Sequence, residues 1–262
     1  MALLTNEEKD TFQQNGYLLK HGMVSEGLIA RAVEAIWNRI DADKEDASTW
    51  VRGGKEGSQG DVSNDADIQC LMYDSPLFEM LEELTASGRL VALHPKDTSV
   101  NLRYPTGEEE WTSPGGSHVD GHGFPNLSIN NWTVAVTLYL NDVKPQAGGT
   151  CVWPGSHKLL AEHFKTHSRL SLSRALYTLP IYDGEPRSTR PTELFELGDY
   201  EEISGAAGTA MIWHSHLVHS ASMNCGDEIR MAAISRFRWA NWNDLRFEDP
   251  DDMWAFWEGL KN

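Results

Sequence analysis

The run from Trp132 to Leu140 (Trp-Thr-Val-Ala-Val-Thr-Leu-Tyr-Leu) constrains this chain most. It is dense in β-branched and aromatic residues, the make-up of a buried strand. Other short strands surround it. Val100 to Tyr104 alternates, and Gly148 to Trp153 starts a strand that the turn Pro154-Gly155-Ser156-His157 ends. Gly208 to Trp213 and Arg230 to Trp239 read as strands joined across Met223 to Asp227. Before Leu90 the texture is helical. Thr5-Asn6-Glu7-Glu8 is a capping box, opening a helix to about Asn15 that stops at Gly16. Tyr17-Leu18-Leu19 reads as a short strand. Ser25 opens a second helix with Leu28, Ala32, Ala35, Ile36 and Ile40 on one stripe. Asp41 to Asp67 reads as a long surface loop, and Pro76 to Ala86 as a helix with Leu77, Met80, Leu81 and Leu84 inward. Lys158 to Ser173 is helical or irregular, followed by a polar stretch to about Leu197. Helices first and many short strands after predict an α+β, mainly β chain with a double-sheet core.

The length, 262 residues with 40% hydrophobic and ten Trp, suits one domain over 1–262. Within it, 1–89 is mostly helical with a loop and 90–240 is the β core, with an inserted loop at about 158–197. Residues 241–262 form a tail, its acidic turn Glu248 to Asp252 leading into a short amphipathic helix through Trp254 and Trp257. No apolar run approaches the ~20 residues of a membrane span, and the N-terminus lacks the pattern of a secretory signal. Cys70, Cys151 and Cys225 form no CxxC and are odd in number, so they read as thiols of a reducing compartment, and a cytoplasmic location is expected. The net charge of −17 repels a phosphate backbone, and no Lys/Arg cluster offsets it. Nucleic acid and membrane are therefore not expected partners; a small molecule is. Arg236 and Arg238 alternate among aromatic residues and read as locally paired.

His118-Val119-Asp120 carries the chemistry. On an extended strand, residues i and i+2 share a face, so His118 and Asp120 converge and can bind one metal. A further His and an Arg follow near His219 and Arg230. Two His and one carboxylate on three corners of an octahedron leave three positions open, as non-haem Fe(II) requires for a co-substrate and O2. An Arg nearby can grip a carboxylate through two parallel hydrogen bonds. Gly115, Gly116 and Gly121 leave space around the pair.

Here the chain resembles the phytanoyl-CoA dioxygenase family of Fe(II)/2-oxoglutarate oxygenases, over nearly its whole length. Phe12 to Tyr17 is similar to the family's helix-into-strand opening, and His118-Val119-Asp120 to its HxD. Leu140 to Val143, Gly149 and Pro154-Gly155-Ser156-His157-Lys158 are similar to its central run. His219 and Arg230 match its distal His and Arg. The resemblance implies a double-stranded β-helix (a cupin-like jelly roll) with the N-terminal helices packed on one sheet. It implies Fe(II) held by His118, Asp120 and His219, with 2-oxoglutarate and O2 as co-substrates, and Arg230 pairing the far carboxylate of 2-oxoglutarate. It also implies oxidation with release of succinate and CO2, hydroxylation being the expected outcome and desaturation, epoxidation or ring formation the alternatives; the expected substrate is a small organic metabolite or natural product, with a fatty acyl thioester suggested by the family name alone. Related halogenases lack the carboxylate, so Asp120 argues against halogenation.

His214 and His216 are alternatives to His219, and the spacing to Arg230 favours His219. His122 is a pocket-lining residue or a structural one. Thr137 falls where the family places a side chain near the co-substrate, and Asn101 or Arg103 is a candidate to hydrogen-bond the co-substrate carboxylate beside the metal. Ala221 stands where many members carry a hydroxyl, between Ser220 and Ser222. Ser156 and His157 read as caps of their turn, and Trp213, Trp239 and Trp242 as core. The alternative reading is a non-redox jelly-roll enzyme or binding protein holding Zn or Mn in the same triad.

Overall fold

The computed structural model describes residues 2–51, 57–58, 60–85, 90–92, 98–114, 116–120, 133–167, 172, 190–245 and 250–261. The chain opens with α1 (Asn6–Asn15), β1 (Tyr17–Lys20) and α2 (Glu26–Trp37). Thr5 caps α1 as a full capping box, and Gly16 ends it at φ 81°. A side chain at Gly16 would be strained and would strike the His157 ring, 2.5 Å from where its Cβ would lie. Ser25 caps α2 and its stripe is buried.

The region 41–67 departs from the expected loop. A 3-10 turn (Ala47–Trp50) forms where Asp46 caps Ser48 and the Trp50 indole donates to Asp43 and packs on Trp37. Next come β2 (Gly57–Ser58), α3 (Gly60–Ser63) and α4 (Ala66–Tyr73), followed by α5 (Leu77–Thr85). The α4 helix begins inside the expected loop, with Asp65 as cap and Ile68, Leu71 and Met72 at i, i+3, i+4 as its signature.

The strands that follow are β3 (Leu90–Ala92), β4 (Thr98–Arg103), β5 (Val134–Tyr139) and β6 (Thr150–Val152). After α6 (Ser156–Phe164) and α7 (Pro191–Leu194) come β7 (Glu201–Ile203), β8 (Ala210–His214), β9 (His219–Ala221) and β10 (Arg230–Trp239), then α8 (Trp242–Leu245). A seven-stranded antiparallel sheet has the order β1-β8-β5-β10-β4-β2, with β3 also on β10; a second sheet is β7-β6-β9. Together they form the jelly roll. So β1, from the N-terminal part, is a strand of the large sheet, and its Tyr17 hydroxyl reaches across to Glu201 on β7 at 2.5 Å.

Both faces of β5 are covered, which explains its apolar run. Val134, Val136 and Leu138 pack with the helices, while Ala135 and Tyr139 point between the sheets. Tyr139 ties the sheets together: its hydroxyl donates to Ile203 O (2.8 Å) and accepts from Thr150 N (2.9 Å). Burial of each large apolar side chain contributes roughly 1.5–3 kcal/mol, so a charged residue at Val136 would unseat the helical layer. The tail also packs inward. Trp257 is 1% exposed and touches Phe12, His214 and Trp239, but the helix expected through it is a set of turns and a 3-10 helix at Glu258–Leu260. Cys70, Cys151 and Cys225 carry free thiols. Among the described residues, no helix is long and apolar enough to cross a membrane.

Candidate active site

His118 is not part of a long strand. It makes a single antiparallel bridge with His219, exchanging both backbone hydrogen bonds at 3.0 Å. Directly opposed residues of this kind point to the same side, and the rings stand 4.3 Å apart. Packing on the opposite side holds the bridge in place. Val119 and Val218, each adjacent to a His, are buried with Trp153, Leu160 and Phe164. The Pro154 to His157 turn anchors the same edge. Gly155, at φ 79°, donates to Asn15 O, Ser156 Oγ accepts from Val218 N, and His157 Nε2 meets Gln13 O. That turn joins the end of α1 to the residue before His219, and α6 begins directly from it.

The two rings are aimed alike. Nδ1 of His118 lies 2.9 Å from Gly116 O, and Nδ1 of His219 lies 3.0 Å from Leu217 O. A carbonyl only accepts, so each Nδ1 carries hydrogen and Nε2 turns to Asp120. The separations are 3.4 Å from His118 to Oδ1 and 3.8 Å from His219 to Oδ2. The ligand atoms of His118, Asp120 and His219 all lie within 4.8 Å of one another, a set that could hold one metal ion. Burial, and His118 beside it, push His219 down to about 3, so its ring is neutral as a ligand must be. Burial alone would raise the Asp120 carboxyl, but Arg236 and the two His more than offset this and hold it well below the usual range. Two imidazoles aimed by their Nε2 atoms and an ionised carboxylate on one side of a cleft are a donor set that fits Fe(II).

The cleft has a volume of about 270 Å³. Besides the triad it is lined by Asn101, Arg103, Thr137, Thr150, Trp213, Arg230 and Arg236, among others. Strand register explains the gathering: Arg103 lies opposite Arg230, and Asn101 opposite Ala232, so all face between the sheets. Arg230 is 3% exposed. Its Nε donates to Gly148 O (2.8 Å), Nη1 to Asn101 O (3.1 Å) and Nη2 to Asn101 Oδ1 (3.2 Å). Thr137 Oγ1 accepts from the Trp213 indole at 3.1 Å.

Of the three downstream His, only His219 faces Asp120. His214 stacks on Trp257 and His216 packs against Phe164. Trp239 and Trp242 are core, whereas Trp213, also buried, both fills the core and walls the cleft. Ser220 and Ala221 line the cleft; Ser222 bonds Glu202 instead. His122 lies outside the described residues, as do most of those between 168 and 189.

The local pairing expected of Arg236 gives way to a distant partner: Nε and Nη2 donate to Asp120 Oδ2 at 3.1 and 2.5 Å. The signal was available, because Arg236 stands six positions after Arg230, an even number that puts both on one face of β10.

The phytanoyl-CoA dioxygenase (PhyH) family profile matches residues 12–232. This chain belongs to that family. Other members of the fold are similar at low identity. The epimerase SnoN, in complex with Fe3+, alpha ketoglutarate and nogalamycin RO, is 20% identical with a TM-score of 0.57, over 88% of this chain and 82% of its own. The non-heme alpha ketoglutarate dependent carbocyclase SnoK from nogalamycin biosynthesis is 18% identical with a TM-score of 0.58, over 90% and 84%. EctD from S. alaskensis, with 2-oxoglutarate and 5-hydroxyectoine, is 13% identical with a TM-score of 0.54, over 90% and 76%. These likenesses bear out the PhyH jelly roll. Among curated proteins, none matches this chain.

Proposed function

We propose that this PhyH-family chain, 1–262 acting as one unit, is an Fe(II)- and 2-oxoglutarate-dependent dioxygenase. Its reaction is oxidation, by hydroxylation, of a C–H bond in a small organic metabolite or natural product, with release of succinate and CO2. The observation that carries this reading is the His118–His219 bridge with Asp120 below it, opening on a cleft that contains Arg230. When bound, the metal with 2-oxoglutarate and O2 supplies the oxidising power.

The chain's own residues hold and orient. His118, Asp120 and His219 are the metal ligands. Arg230, already fixed by Gly148 and Asn101, presents a rigid cation to the far carboxylate of 2-oxoglutarate, and a buried, pre-aimed guanidinium orients a diacid strongly. Asn101 acts mainly through this support. Thr137 accepts from Trp213, which orients its hydroxyl to donate into the cleft, and Arg103 adds positive charge opposite Arg230. The cleft is thus cationic in a chain of net charge −17, a local field that gathers a dianion against the global one. At about 270 Å³ it suits the co-substrate. His122, two positions after Asp120, is proposed as a pocket-lining residue.

The similar structures include an epimerase and a carbocyclase, so the fate of the oxidised carbon is the finer point. Retention of Asp120 supports oxygen transfer over halogenation. The test is anaerobic addition of 2-oxoglutarate to the Fe(II) protein, expected to produce a visible charge-transfer band, followed by stoichiometric succinate formation in air. Absence of both would point to a non-redox metal enzyme or a binding protein.

A further inference from the structure

Arg236 stands in the cleft wall with no part in the reading above. Its Nε and Nη2 converge on one oxygen, Asp120 Oδ2, across 116 positions of sequence. The other oxygen, Oδ1, is the one 3.4 Å from His118 Nε2. The guanidinium lies over the Trp213 ring, 6.0 Å from its centroid. Trp213 is itself locked: it is 1% exposed, its N–H is bound by Thr137, and its ring meets that of His219 edge-on at 4.5 Å. The root of Arg236 is equally fixed, in β10 opposite Ala135 of β5.

We propose that Arg236 is a positioning residue that restricts Asp120 to binding the metal through a single oxygen, an inference that rests on the metal centre proposed above. The reason is one of counting. A carboxylate left to itself can rotate and chelate through both oxygens. With two His it would then fill four of six positions and leave two. Held at Oδ2 by two charge-assisted donors, it supplies one oxygen and leaves three open. Three is the number this chemistry needs, two for the 2-oxo acid and one for O2. Trp213 serves as a shared brace, in contact with both the ring of His219 and the guanidinium that aims Asp120. Arg236 would thereby couple the ligand set to the core of the large sheet.

The test compares the wild-type protein with Arg236→Gln and Arg236→Lys, using Mn(II) titration of the metal-free proteins and visible spectra of the Co(II)-loaded ones. Arg236→Gln is expected to change the Co(II) bands, because the freed carboxylate binds through both oxygens, and to shift the Mn(II) dissociation constant by roughly 10–100-fold. Arg236→Lys should recover part of both. If Arg236 acted only as a neighbouring charge, its removal would tighten Mn(II) binding and leave the Co(II) bands like wild type. Co(II) bands like wild type in Arg236→Gln, whatever the Mn(II) affinity, would overturn the proposal. Thermal unfolding of each metal-free protein reports folding, and if Arg236→Gln does not fold, Arg236→Lys carries the test, with an unchanged spectrum again overturning it. Failure of wild type to bind Mn(II) or Co(II) would instead remove the metal centre, and this inference with it.

Discussion

Two groups of histidines, one half-buried to buried and one fully buried, have opposite natures. His118 and His219 sit where the small sheet opens on the cleft. Each has Nδ1 on a backbone carbonyl and Nε2 towards a carboxylate. His157, His214 and His216 sit behind them among Phe12, Phe164, Trp254 and Trp257. His219 is as buried as His214 and His216, so burial does not distinguish a ligand from a packing residue. What distinguishes them is the second nitrogen: in one group Nε2 faces an ionised carboxylate, whereas in the other His157 Nε2 meets the Gln13 carbonyl and His214 Nδ1 accepts from His216 N, amid aromatic rings. Aromatic packing uses the imidazole as a flat apolar body, whereas ligation uses its lone pair.

The contrast can be tested in four ways, losses of activity first and losses of stability after, each in descending order. Asp120→Ala or His219→Ala should reduce 2-oxoglutarate turnover to background while the metal-free protein still unfolds cooperatively; full turnover in either would end the assignment. Arg230→Lys removes the planar fork fixed by Gly148 and Asn101. Loss of such a pair costs roughly 2 kcal/mol or more, so the KM for 2-oxoglutarate should rise by about 30-fold, with Mn(II) affinity unchanged by titration.

His214→Ala should show the reverse pattern. It empties a site packed against Trp257, Trp254 and Phe12, and should lower urea-measured stability by about 3 kcal/mol. Metal affinity of the folded protein should stay at the wild-type value, and a large loss of affinity there would blur the two groups. His157 supplies the smallest effect, read by pH. Burial depresses it to about 4, so the native ring stays neutral while the unfolded chain takes up a proton below the ordinary His value. Stability contributed by the neutral ring is therefore present at neutral pH and lost as pH falls towards about 4. Between pH 7 and pH 5 the loss should be about 2 kcal/mol, and His157→Gln should remove that part of the slope in denaturation curves.

Much of this was legible beforehand because it depends on local order. The α1 capping box and Gly16 stop are set by neighbours within four residues. The buried strand β5 is evident from its own composition, as is the stripe of α2. The choice of His219 over His214 and His216 followed from spacing to Arg230, and packing agrees with it. What escaped was short or distant. The strands β7 and β9 have three residues each, too few for a period to show. Helix α4 was hidden by the polar, glycine-rich sequence before it. Two Trp three apart suggest a helix in the tail, yet turns bring Trp257 into the same core.

The sequence alone determined the chemical inventory: a His and a carboxylate two residues apart, a distal His, and an Arg eleven positions beyond it. Alternation along a strand even put Arg236 on the face of Arg230. Only the tertiary structure decided which groups meet. The His118–His219 bridge spans the chain from one end of the β core to the other, and Arg236 closes on Asp120 from the opposite sheet. Periodicity states which side of a strand a residue faces, but says nothing of what lies across the gap. That is settled by how two sheets pack, through buried contacts such as Val119 and Val218 on one side and Trp213 on the other.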